Sequence, residues 1–262
     1  MSASILLLAG SRTGSDPLCE AHGVESKALI RICGVQMIDY VLEAIRQSTV
    51  GSASIWISGL PIEAVAKNAN PNISAMLSDA RQAPPGDSPA AGVMRAASEG
   101  LTPPFIITTC DHPLLTADIL DTFVEKALAT DADIAVGLAS RQLIEAVYPN
   151  VSRTYLKLSD GQYSGCNLFF VRTAEGLKGI QFWQSAEQDR KKPLKIAWRF
   201  GIFALLRMMI RQIGLDAVFS HASRKIGARI VPVLLPFANA AVDVDKESDL
   251  DLVTKLTAVR NQ

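Results

Sequence analysis

The sequence predicts an α/β protein: an open, mostly parallel sheet with helices on both faces. Three observations predict it. Short, continuously apolar runs recur along the chain, of the kind buried on both faces of a parallel sheet. Helical stripes of apolar residues separate them, giving the alternation of βαβ units. A glycine or carboxylate follows several of these runs, at the strand ends where such sheets hold their ligands.

Ile5–Ala9 is the first strand, and Ile38, Val41, Leu42 and Ile45 mark a helix face after it. Ala53–Ile57 and Phe105–Thr109 read as further strands. Between them, Arg81–Pro89 carries three prolines and a glycine and reads as a loop. Ser88 and Pro89 then open a helix bearing Val93, Met94 and Ala97. Leu120, Phe123, Val124, Ala127 and Leu128 form the next helix face, with Thr116 as its N-cap. Ile134–Leu138 returns as a strand, and Tyr155–Leu158 and Leu168–Val171 flank a turn at Asp160-Gly161. Ile230–Leu235 is a late strand, and a final helix starts near Ser248 with Asp249 and Asp251 in its first turn.

One stretch departs from this rhythm. Residues 181–227 read as helical throughout, an insertion of two or three helices before the last strand. After the basic lead-in Arg190-Lys191-Lys192-Pro193, an apolar face runs through Ile196, Trp198, Phe200, Phe203, Leu206 and Ile210. Arg199, Arg207 and Arg211 share the opposite face, and Leu215, Val218, Phe219, Ala222 and Ile226 give a second amphipathic helix. Three roles stay open for this insertion. It covers core or forms a homo-oligomer interface, it walls an acceptor pocket, or it lies on a membrane surface. Without repeats or low-complexity segments, the 262 residues are expected to form a single domain, 1–262.

Composition narrows the function classes. Twenty-six basic residues balance 26 acidic ones, so no overall charge points to nucleic acid or an anionic membrane. Cys19, Cys33, Cys110 and Cys166 are widely spaced with no CxxC pair, as in a reducing compartment. Arginines interrupt the longest apolar candidate for a membrane span. The run Ile5–Leu8 begins too near residue 1 to leave room for a secretory leader, so a cytoplasmic protein is expected.

The chemistry-bearing residues stand at strand ends. Leu8-Ala9-Gly10-Ser11-Arg12 closes the first strand, where a glycine turn lets backbone N–H groups approach a phosphate. Arg12 and Lys27 add positive charge there. Thr109-Cys110-Asp111 ends another strand, and Asp243 and Asp245 alternate with Val242 and Val244, which in a strand puts both carboxylates on one side. Two carboxylates on one side call for a cation, and Mg²⁺ prefers oxygen donors, which makes His112 a turn residue rather than a ligand. Plainer readings stay open for each feature. Gly10–Arg12 fits a strand-to-helix turn, Lys27 a solvated lysine, Asp111 a turn cap, and Asp243 with Asp245 an edge strand in water.

Four segments together resemble the MobA-like nucleotidyltransferases. They are Leu8-Ala9-Gly10 with Lys27-Ala28-Leu29 and Gly34; Gly86 to Gly92; Thr109-Cys110-Asp111-His112-Pro113-Leu114; and Val242-Asp243-Val244-Asp245 before Asp249-Leu250. The insertion is not part of the resemblance. The chain departs from the family in carrying Ser11 where a second glycine is usual, and in a longer Thr13–Ser26 loop.

The resemblance implies a three-layer, Rossmann-like GT-A fold with a mixed sheet and the helical insertion. It implies a nucleotidyltransferase joining an NTP, with CTP or GTP favoured, to a phosphorylated small-molecule acceptor, with Mg²⁺ as cofactor. Leu8, Ala9, Gly10, Arg12, Lys27, Ser88 and Asp111 would bind the nucleotide. Lys27, Asp111 and Asp245 would be catalytic. Asp111 and Asp245 would hold the metal, since Asp245 matches the family position better than Asp243. Gly165 and Asn167 would line the acceptor side. Two alternatives stand beside this reading: a non-catalytic nucleotide-binding module of the same fold, and a membrane-surface cytidylyltransferase acting on lipid precursors. Sugar transfer is the weaker reading, because Thr109-Cys110-Asp111 stands where those enzymes carry DxD.

Overall fold

The computed structural model describes residues 3–10, 16–149, 151, 153–189 and 211–260. Among these residues eight strands form the central sheet: β1 (Ser4–Leu8), β4 (Ile55–Ser58), β5 (Arg81–Ala83), β6 (Phe105–Thr109), β7 (Ile134–Ser140), β8 (Leu156–Lys157), β9 (Gln162–Val171) and β10 (Ile230–Leu234). Their order is β10-β7-β9-β6-β1-β4-β5, with β8 paired to β9. A separate two-stranded hairpin joins β2 (Arg31–Ile32) to β3 (Val35–Gln36).

β1 lies between β4 and β6, parallel to both, with Leu8 level with Ser58 on one side and Thr109 on the other. Alternate β1 side chains feed the two faces, which is why the run is apolar without a break. Ile5 and Leu7 pack with Ile38, Val41 and Leu42 of α2 (Met37–Gln47) and with Phe123 of α6 (Ala117–Leu128). Leu6 and Leu8 pack instead with Ala90, Val93 and Ala96 of α5 (Pro89–Ser98) and with Ile180 of α8 (Gly176–Gln188). Helix–sheet–helix layering follows.

β9 is antiparallel to both β6 and β7. Its ladder with β7 slips between Val136 and Leu138, which lie level with Phe169 and Gly165, so β9 bulges there. Asn167 sits in the bulge at φ 52°, a left-handed conformation that asparagine adopts more readily than most residues.

Three expectations need correction. Arg81–Ala83 is a strand, not loop, pairing with β4 at the sheet edge through backbone and through the Gln82 amide, which donates to Ile57 O at 3.1 Å. The long Thr13–Ser26 loop contains α1 (Pro17–His22), which Asp16 caps by accepting from the Leu18 N–H and Gly23 ends at φ 61°. Val242–Asp245 is extended but forms no strand; Val244 N–H donates to Asp111 O at 2.9 Å. Its alternation survives as burial of Val242 and Val244.

The remaining elements are α3 (Ile62–Ala66), α4 (Pro71–Leu77), α7 (Arg141–Val147), α9 (Leu215–Ile226) and α10 (Glu247–Arg260). Of the insertion, α9 and the end of α8 are described, whereas Arg199, Phe203, Arg207 and the rest of 190–210 lie outside the described residues. Among the described residues no helix is long and apolar enough to cross a membrane.

Candidate active site

The order β5-β4-β1-β6 reverses direction at β1, so the carboxyl ends of β1 and β6 open a crevice between diverging connections. A cavity of about 510 Å³ lies there. Leu8 and Gly10 line it from the end of β1, Ser58 and Gly59 from β4, and Thr109, Cys110 and Asp111 from β6. Gly86, Ser88 and Gly92 contribute from the turn into α5, and Asp16, Lys27 and Asp245 close the mouth.

Glycines set this shape. Gly59 has φ +99°, and a Cβ there would stand 2.2 Å from Gly10 Cα. A Cβ on Gly86 would stand 2.1 Å from Gly92 N. Backbone therefore packs on backbone around the crevice, leaving main-chain polar groups free to face a ligand. Ser88 caps α5 by accepting from Ala91 N–H at 3.3 Å, with Pro89 in the first turn.

Lys27 stands on a short 3₁₀ turn, Lys27–Leu29, fastened to β1 by Ser26, whose hydroxyl donates to Ala9 O at 3.1 Å. Its ammonium donates to Asp245 Oδ1 at 2.9 Å and to Val244 O at 3.2 Å, with Asp16 Oδ2 at 3.8 Å. Burial opposes that charge, but the Asp245 hydrogen bond and the Asp111 and Asp16 carboxylates hold its pKa above the ordinary lysine value. Asp245 is itself fixed from below: Asp249 Oδ2 accepts from the backbone N–H groups of Asp245 and Lys246, both at 3.2 Å.

Asp111 is the buried member. Burial pushes its carboxyl up to about 6, with Asp243 and Asp245 adding like charge and Lys27 offsetting it. Its Oδ1 is buried with no hydrogen-bond partner among the described residues. Asp243 faces elsewhere: it pairs with Arg153 and accepts from Asn167 Nδ2 at 3.0 Å. His112 is buried, its Nε2 3.1 Å from Asn239 O, and burial lowers its pKa, in keeping with a turn residue.

The structure thus brings together Leu8, Gly10, Lys27, Ser88, Asp111 and Asp245 around one cavity. Ala9 is buried behind the cavity wall, and Arg12 lies outside the described residues. Neither acceptor-side residue lines the cavity: Asn167 donates to Asp243 behind it, and Gly165 is exposed on β9. Sequence reasoning passed over Ser58 and Gly59, although the strand-end rule that found Asp111 points to them equally. It also missed Asp16 and Arg153, which sit on loops with no periodic signal.

No group of three or more His, Cys, Asp or Glu side chains among the described residues could hold a metal ion. An orphaned buried carboxylate oxygen on Asp111, with Asp245 across the mouth, nonetheless suits Mg²⁺, which is commonly held by one or two carboxylates plus substrate phosphates.

The family model for the MobA-like NTP transferase domain matches residues 6–224. The chain belongs to that family. Its membership makes it a transferase enzyme of the nucleotidyl-transferring class. The match stops before Asp245, which joins the cavity through the fold. A hypothetical transferase from Thermus thermophilus is 26% identical, with a TM-score of 0.79 over 95% of this chain and all of that one. Two more distant structures share the fold. A CMP:2-keto-3-deoxy-manno-octonic acid synthetase complexed with CTP has TM-score 0.55 at 15% identity, covering 99% of this transferase and 100% of that chain. The 2-C-methyl-D-erythritol 4-phosphate cytidylyltransferase of Thermus thermophilus has TM-score 0.51 at 14% identity, covering 98% and 100%. A search of curated proteins gave no significant match.

Proposed function

We propose that this transferase moves a nucleoside monophosphate from an NTP, CTP or GTP, onto a phosphorylated small-molecule acceptor and releases pyrophosphate. An acceptor phosphate oxygen attacks the α-phosphorus; the bond from that phosphorus to the α–β bridging oxygen breaks, and pyrophosphate departs with the electron pair. The observation that carries the reading is the meeting of Lys27, Asp111 and Asp245 at one cavity beside the glycine turn of β1. These groups come from three distant parts of the chain, and burying Asp111 next to other carboxylates is unfavourable unless a cationic ligand repays it.

The backbone at Gly10 and Gly59 offers N–H groups to phosphate oxygens, and Ser88 at the head of α5 lies where base or ribose would rest. Lys27 leaves Asp245 for the β- and γ-phosphates and neutralises charge as pyrophosphate departs. Asp111 and Asp245 would hold Mg²⁺, which supplies charge neutralisation at the α-phosphate when bound. A phosphate acceptor is ionised at neutral pH, so the protein positions reactants rather than moving a proton.

The test pairs a thermal-shift screen of the four NTPs in Mg²⁺ with pyrophosphate release by wild type and Asp111→Asn. The variant is expected to lose at least about a hundredfold in pyrophosphate release while melting no lower than wild type. Near wild-type turnover of Asp111→Asn would remove Asp111 from the site.

A further inference from the structure

A second cavity, of about 470 Å³, opens beside β8 and the start of α7. Three cations line it, Arg141, Arg153 and Lys157, against one carboxylate, Glu145. Resting on the transfer reading above, we infer that this cavity binds the phosphomonoester group of the acceptor.

Four observations carry it. Lys157 has no hydrogen-bond or ion-pair partner among the described residues, so its ammonium is uncommitted. Arg141 is held flat, with its guanidinium carbon 5.3 Å from the Tyr155 ring centroid and Nη1 donating to Gln162 Oε1 at 3.0 Å. Its pair with Glu145 is half-exposed and exchangeable for a stronger anion. The Tyr155 hydroxyl, on the same wall, is buried without a partner among the described residues, a donor that a ligand oxygen would satisfy.

Arg153 joins the two cavities. It lines the second one, and its guanidinium rests on Asp243, whose charge acts on Asp111 in the first. A phosphate held on Arg153 would stand beside Asp243, the carboxylate whose charge acts on Asp111. A planar guanidinium pair, an ammonium and a phenol offer more donors than the two oxygens of a carboxylate can use, and they suit the three oxygens of a phosphomonoester.

Calorimetry with methyl phosphate as the probe, in Mg²⁺ and a saturating NTP analogue whose α–β bridging oxygen is replaced by methylene, tests this without turnover. Wild type is expected to bind it. Lys157→Glu, a change on an exposed side chain, should weaken binding by about tenfold or more, Lys157→Arg should restore it, and Arg141→Ala should weaken it about fivefold. NTP affinity should stay within about twofold in all three variants, because the nucleotide cavity is separate. Methyl phosphate binding that is absent in wild type, or unchanged in Lys157→Glu and Arg141→Ala, overturns the inference. Failure of wild type to bind any NTP would instead count against the transfer reading, and the phosphate titration would still be readable in NTP-free buffer with Lys27→Ala used to silence the first cavity.

Discussion

Replacing Lys27 with alanine should separate triphosphate binding from monophosphate binding. The ammonium now donates to Asp245 and Val244 O and lies 3.8 Å from Asp16. On NTP binding these contacts are exchanged for phosphate oxygens. A hydrogen bond to a charged group contributes about 1.5–3 kcal/mol. Against this stands the lost pair with Asp245, whose side chain is 59% exposed. Such a pair contributes at most about 1 kcal/mol. The difference, about 1–2 kcal/mol, corresponds to NTP binding weakened about 5- to 30-fold. The nucleoside monophosphate of the same base, which lacks the β- and γ-phosphates, should bind within about twofold of wild type. Calorimetric titration of each NTP and its monophosphate into both proteins reads the two losses directly. Equal losses for mono- and triphosphate would refute the assignment and leave Lys27 a support for Asp245 and the end of β1.

Two more predictions concern stability. Asp39, buried at the start of α2 with Gln36 Nε2 3.4 Å away, has its pKa pushed by burial from 3.8 up to about 6. Folding therefore favours the neutral carboxyl: stability is unaffected below about pH 4, falls as pH rises through about 6, and stays lower above it. Asp39→Asn should stabilise by up to about 3 kcal/mol at pH 8 and by little at pH 4, read from urea melts at both; an equal effect at the two pH values would contradict this. Gly59→Ala should lower the melting temperature by more than about 5 °C, because a positive φ and a Cβ 2.2 Å from Gly10 Cα leave backbone as the only thing able to move. A variant melting with wild type would mean that the crevice is softer than its geometry implies.

Which parts of the molecule were readable in advance follows from how each is stabilised. β1, β6, β7 and β10 are held by apolar side chains, so their runs announce them. α2 and α6 show their core stripes for the same reason. β5 is held by hydrogen bonds to β4, by Arg81 over the Trp56 ring and by the small buried Ala83, so Arg-Gln-Ala has no apolar pattern to display. β9 begins at Gln162, upstream of its apolar end, because antiparallel pairing with β7 and β8 extends it through polar residues. In the candidate site, Gly10, Ser88 and Asp111 stand at the strand ends and cap that the sequence marks, whereas Lys27 and Asp245 were legible through the family resemblance, Asp245 on a segment that is not the strand its alternation suggested. Arg153 was not: its partner Asp243 lies 90 residues away, and nothing local marks such a pair.

The bulge in β9 has an entropic consequence. Asn167 is held at φ 52° between two stretches of the β7 ladder, at Gly165 and at Phe169, and its amide is already committed to Asp243. The backbone beside Asp243, whose partner Arg153 lines the cavity we assign to the acceptor, is thus tied down by the fold itself. An acceptor binding there does not have to freeze the chain around it, a cost of about 1–2 kcal/mol for each residue ordered. Recognition on that side can be built from a few contacts, which suits a small molecule with little surface to offer.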